Sequence, residues 1–157
     1  GLLRETTAQF EGQPLLESVG GIGPKLAAAL LQYGFAGEVH HRDQVGIRMG
    51  ACPVFKGSGT TAKGAPKGHA SMRRATHSRA RRATYLIGRL AQQRLRWAAA
   101  MYAHGRARGQ NAATVYRRIA RSLLRILTAM LRDGRVYDDD QYVSALKAKG
   151  VPWAQSL

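Results

Sequence analysis

Along most of the chain the apolar positions recur at intervals of three and four, the spacing that places them on one side of an α-helix. The strongest stripe runs from about Asn111 to Leu131 and holds Val115, Ile119, Leu123, Ile126, Leu127, Met130 and Leu131. Gly134 follows it, where a glycine suits the helix end. Ala83, Leu86, Ile87, Leu90, Leu95 and Ala98 predict one long helix from about Ser71 to His104, with a turn at Gly105 to Gly109. Towards the N-terminus the pattern is broken by glycine and proline. Residues 1–13 read as the end of a helix closed by Gly12 and Pro14, and Leu15-Leu16-Glu17-Ser18 begins a short helix stopped by Gly20-Gly21. Pro24, well suited to a first helical position, opens a helix to Tyr33 that Gly34 ends. Val39 to Met49 reads as a further short helix with Asp43 in its first turn, and Asp138-Asp139-Asp140 opens a last one to Lys149. No stretch alternates with the period of a strand, and no segment repeats. The expected fold class is all-α: a helix-hairpin-helix, then a long Gly/Lys-rich loop and two long helices.

Composition sharpens this picture through charge. The 157 residues carry a formal net charge of +16. Between Asp43 and Asp133 there is no Asp or Glu, although that stretch holds most of the arginines. A solvated helical face normally interleaves both signs, because like charges repel. A polyanion relieves that repulsion, and counterion release from phosphates then drives binding. Nucleic acid is therefore the expected partner. No apolar run is long enough for a membrane span, and the single thiol, Cys52, cannot form an internal disulfide. The single thiol fits a reducing cytoplasm. Cys52 itself reads as a small buried apolar residue.

Two motifs carry candidate chemistry. In Ser18-Val19-Gly20-Gly21-Ile22-Gly23-Pro24-Lys25-Leu26-Ala27, Gly21 and Gly23 would let the backbone approach a phosphate closely. The amides of Ile22, Gly23 and Lys25, the dipole of the next helix and the Lys25 charge would hold it there. The plain alternative is a Gly-rich turn between two helices. The second motif is Gly50-Ala51-Cys52-Pro53-Val54-Phe55-Lys56-Gly57-Ser58-Gly59. Ser58 sits among Lys56, Lys63 and Lys67 without a nearby acid, so its hydroxyl could attack a phosphodiester while cations neutralise the developing charge. A Ser-Gly in a loop is otherwise only a turn. Arg73, Arg74, Arg81 and Arg82 are candidate phosphate contacts, with Arg81 the best placed near the serine. His40, His41, His69, His77 and His104 lack zinc-ligand spacing, and Asp138 to Asp140 read as a helix cap rather than a cation site. Trp97, Tyr102 and Tyr116 read as core or interface residues rather than base-stacking platforms.

The motifs occur in a telling order: Gly21-Ile22-Gly23-Pro24, Gly50-Ala51-Cys52-Pro53, Ser58-Gly59, Ala80-Arg81-Arg82-Ala83-Thr84-Tyr85, Ala120-Arg121-Ser122-Leu123-Leu124 and Gly134-Arg135-Val136-Tyr137-Asp138. From about residue 15 to residue 140 this order resembles the C-terminal domain of the insertion-sequence one-ten transposases, the bridge-RNA-guided DNA recombinases. It differs from that family's pattern at Gly20, Ala80 and Ser122. The resemblance implies a site-specific transposase in which Ser58 is the catalytic nucleophile of covalent strand exchange and Gly59 belongs to its DNA-binding loop. It implies no metal or cofactor in this chain, with magnesium held by an N-terminal RuvC-like domain that this chain lacks. A guide RNA and further copies of the full-length protein are the additional partners it implies. The corresponding division is 1–13 as the end of a linker helix, 14–38 as the helix-hairpin-helix, and 39–157 as the rest of the domain, with the serine loop over 50–69. A non-catalytic helix-hairpin-helix module that binds nucleic acid is the main alternative, and a basic assembly domain for an acidic protein is a third.

Overall fold

The computed structural model describes residues 12–57, 59–64, 68–72 and 76–157. Residues 12–17 are helical (α1). They are followed by α2 (Pro24–Tyr33), α3 (Gln44–Arg48), α4 (Ser78–Arg94), α5 (Arg96–Ala107), α6 (Ala112–Asp133), α7 (Asp139–Ala148) and a 3-10 turn at Pro152–Ala154. Two short strands, β1 (Pro53–Lys56) and β2 (His69–Met72), form the one sheet among the described residues. The fold is all-α, with a β-hairpin set into it.

The centre is α4 against α6. α4 contributes Ala80, Ala83, Thr84, Ile87 and Ala91, and α6 contributes Val115, Ile119, Ala120, Leu123, Leu124, Leu127 and Met130, all buried. Small residues on α4 allow a close approach, and Gly88 is the extreme case: a Cβ built there would lie 2.8 Å from the carbonyl carbon of Tyr116 and closer still to its oxygen. Trp97 and Ala98 of α5 and the inner face of α2, formed by Ala27, Leu30 and Leu31, complete the interior. Leu16, Val19 and Ile22 close the hairpin end of the core, and Val45 and Met49 close the α3 end. Thr84 is the buried polar residue of this interior, and its hydroxyl lies 2.6 Å from the Met49 carbonyl and 2.9 Å from that of Ala80. The contact with Met49 ties the end of α3 to the first turns of α4.

Several helix ends follow their local chemistry. Asn111 caps α6 by accepting the Thr114 N–H at 2.8 Å, and Gly134 ends it in the left-handed conformation at φ 64°. Asp138 caps α7 by accepting the Gln141 N–H at 3.0 Å.

Four expectations need correction. Gly12 and Pro14 do not close a helix but lie within the helical residues 12–17. The helix expected over Val39 to Met49 is confined to Gln44–Arg48, because the Gln44 side chain binds the preceding loop, accepting from the His40 N–H and donating to the Glu38 carbonyl. The segment expected to be all loop contains β1 and β2, paired antiparallel with Pro53 opposite Met72 and Lys56 opposite His69. Pro53 is tolerated because it opens its strand. Finally, the single helix expected from Ser71 to His104 starts at Ser78 and breaks at Leu95, which is extended (φ −112°, ψ 125°). No glycine, proline or capping side chain marks that break. Burial of Leu95 and the ion pairs of Arg96 with Asp139 and Asp140 hold the redirected α5 in place.

Candidate nucleic-acid interface

The helix-hairpin-helix begins with α1 and turns through Val19 to Gly23. Gly21 has a φ of 98°, which only glycine adopts readily, and it packs so tightly on α4 that a Cβ would lie 3.2 Å from Leu90 and 3.3 Å from Arg94. Gly21 is therefore a packing residue. The Ile22 N–H donates to the Val19 carbonyl at 3.1 Å, so, contrary to expectation, it is not available to a phosphate. Gly23 is different: a Cβ there would meet nothing within 4 Å, and it precedes the first turn of α2. Gly23, Pro24 and Lys25 are exposed. The phosphate-competent part of the motif is thus the open start of α2 with the Lys25 side chain beside it.

α4 lies alongside. It carries Arg79, Arg81, Arg82, Arg89 and Arg94 and no acid, and among the described residues none of these five is in an ion pair. At 100° per residue, Arg82, Leu86, Arg89 and Gln93 share one outward row. Arg79 borders that row on one edge, and Arg81 and Tyr85 on the other. Arg79, Arg81, Arg82 and Arg89 are all exposed. The helix spans about 25 Å at 1.5 Å per residue. Its C-terminal end supports the hairpin through Leu90 and Arg94, and its N-terminal end receives the chain from β2. The Tyr33 and His77 rings stack at 4.9 Å, tying the end of α2 to the start of α4. His77 also caps α4 by accepting the Arg79 N–H at 3.2 Å, so its role here is structural.

The loop between β1 and β2 is exposed at Gly57, at Gly59 to Gly64 and at Gly68. Lys63 is among these exposed residues, and Gly59 has a φ of 79° with open space where a Cβ would be. Ser58, Lys67, Arg73 and Arg74 lie outside the described residues, as does the side chain of Lys56, whose backbone ends β1. The base of the hairpin is held at Cys52, whose Sγ would lie 3.1 Å from a Cβ at Gly46. Burial pushes the Cys52 thiol up, which disfavours a thiolate.

The sequence patterns did not single out the basic side of α6. Arg117, Arg121 and Arg125 follow at intervals of four, with Arg118 beside them. Asp43 engages part of this row: Arg125 Nε lies 2.6 Å from its carboxylate, Arg121 Nε 3.6 Å and Arg42 Nε 3.7 Å. The hydrogen bond from Arg125 holds the Asp43 carboxyl below the usual value against the opposing effect of burial. The spacing of the arginines was readable, but their pairing with Asp43 across 82 residues was not.

The remaining carboxylates of the C-terminal part are also engaged. Asp133 pairs with Arg132 and Arg135, Asp139 and Asp140 pair with Arg96, and Asp138 caps α7. Among the described residues no three His, Cys, Asp or Glu side chains come together as a metal site. Trp97 is buried and donates from Nε1 to the Tyr137 hydroxyl at 2.8 Å. Among the described residues, no helix is long and apolar enough to cross a membrane. Compared with known proteins, the chain matches no protein family and no curated relative, so the resemblance to the transposases rests on its motifs.

Proposed function

We propose that this chain is the DNA-binding, serine-bearing part of a DNA transposase or site-specific recombinase, with Ser58 as the nucleophile of strand exchange. The observation that supports it best is the arginine face of α4, free of ion pairs among the described residues. It adjoins the helix-hairpin-helix, where Gly21 packs on Leu90 and Arg94 of α4, next to the open start of α2. Phosphates along that face would be held by Lys25, Arg79, Arg81, Arg82 and Arg89, contacts that position DNA without reading its sequence. In the chemical step the Ser58 Oγ gives up its proton and bonds to phosphorus, and the leaving sugar oxygen takes a proton. The serine–phosphate bond retains the phosphodiester, so a sugar hydroxyl can later displace the serine without a nucleotide cofactor. Magnesium and a metal-binding domain, a guide RNA and further copies of the chain belong to the same proposal, as does a cytoplasmic location.

Two measurements test it. Neutralising about five phosphates predicts a slope near −4.5 for log affinity against log salt on duplex DNA. A flat salt response refutes phosphate binding. In the full-length protein, a nicked or suicide DNA substrate should give a covalent adduct that Ser58→Ala abolishes. An adduct that persists in Ser58→Ala refutes the assignment of the nucleophile. The non-catalytic reading is favoured by the same α4 face taken alone, since phosphate binding needs no hydroxyl. It predicts steep salt dependence with no adduct.

A further inference from the structure

Within the cationic face of α4, Tyr85 and Leu86 are large side chains left 40% and 38% exposed. A single exposed apolar residue needs no explanation. Tyr85, however, is the outer member of an aromatic array. It meets Tyr116 of α6 at 5.4 Å with the rings nearly perpendicular, and Tyr116 stacks on Tyr102 of α5 at 5.2 Å. Tyr102 and Tyr116 are half-buried, so three helices brace a ring whose outer part faces solvent. In either T-shaped arrangement, at least one face of Tyr85 is left uncovered by Tyr116. Arg82 and Arg89 stand one turn before and one turn after it, roughly 10 Å apart along the helix. A braced aromatic ring between two guanidiniums combines the parts that bind single strands: a stacking surface and phosphate contacts. A duplex keeps its base faces stacked and offers only edges and backbone, so it could not use such a ring.

We infer that Tyr85, braced by Tyr116 and Tyr102, is a stacking platform for an unpaired nucleobase whose flanking phosphates lie on Arg82 and Arg89. This rests on the nucleic-acid reading above and adds a preference for unpaired strands. The test compares the intact chain and its variants on oligodeoxythymidylate, oligouridylate and duplex DNA of equal length. Tyr85→Ala should weaken single-strand binding about 5- to 150-fold and change duplex binding less than about twofold, while Tyr85→Phe keeps both. Whichever single strand binds more tightly identifies DNA or RNA as the natural source of the base. Abasic positions in the oligomer should weaken binding to the unsubstituted chain but add no further loss in Tyr85→Ala. Unchanged single-strand affinity in Tyr85→Ala, or an equal loss on single strand and duplex, overturns the platform while leaving duplex binding in place. Failure of the unsubstituted chain to bind any of the three overturns the nucleic-acid reading itself, and the platform with it.

Discussion

Gly88→Ala probes how closely the backbones of α4 and α6 approach. In an exposed helix this substitution is stabilising by about 1 kcal/mol, because alanine restricts the unfolded chain and favours the helix. Here the new methyl would lie 2.8 Å from the carbonyl carbon of Tyr116, with the carbonyl oxygen nearer still. Both obstacles are backbone within a helix, so neither can rotate away. The two helices would have to separate by roughly 1 Å, and a gap of that size forfeits a quarter to a half of the dispersion energy of each facing contact. Overpacking of this kind costs about 3 kcal/mol at the upper end of its usual range. Subtracting the helix-propensity gain leaves a net loss of about 2 kcal/mol. For a domain of this size that corresponds to a fall in Tm of about 4–8 °C. Thermal unfolding followed by circular dichroism measures it, with Gly23→Ala as a control at a position where the added methyl meets nothing. An unchanged or raised Tm in Gly88→Ala would refute the close backbone approach.

Two polar contacts can be tested in the same way. Asp43→Asn removes the carboxylate shared by Arg125, Arg121 and Arg42 and should cost about 1–2 kcal/mol near neutral pH. Because folding lowers the Asp43 pKa, its contribution is present above the ordinary value of 3.8 and is lost as pH falls through the lower folded value. Denaturation from pH 7 down to about pH 3 should therefore narrow the gap between wild type and variant towards the acid end; a constant gap contradicts the ion pair. Tyr137→Phe leaves the buried Trp97 Nε1 without its 2.8 Å acceptor and should cost about 1–3 kcal/mol in chemical denaturation, a loss that an equal midpoint would disprove.

The parts of the fold that were legible are those set by local chemistry. α6 has a full apolar stripe, an asparagine at its start and a glycine at its end, and each of these does locally what its residue type favours. α2 is bounded by Pro24 and Gly34 for the same reason. The β-hairpin was hidden because its strands are four residues each, set among glycine, threonine and lysine, and their pairing bridges residues far apart in the chain. The break at Leu95 left no trace because the apolar spacing continues through it; the partners that fix it are Asp139 and Asp140, more than forty residues away. At the candidate site, the stretch without acids between Asp43 and Asp133 holds both kinds of arginine: those of α4 are in no ion pair among the described residues, whereas Arg96, Arg121 and Arg125 find carboxylates at or beyond its ends. Sequence could not separate Gly21, which is packed, from Gly23, which is open, since that depends on Leu90 and Arg94.

The placement of the carboxylates has a kinetic consequence. Asp133, Asp139 and Asp140 balance arginines near the C-terminal end, whereas α4 carries no acid of its own. A molecule charged so unevenly experiences a torque as it approaches a polyanion, turning its bare cationic side forward before contact. Productive encounters would then be more frequent than random collision allows, and this advantage should fade as added electrolyte shortens the range of the field.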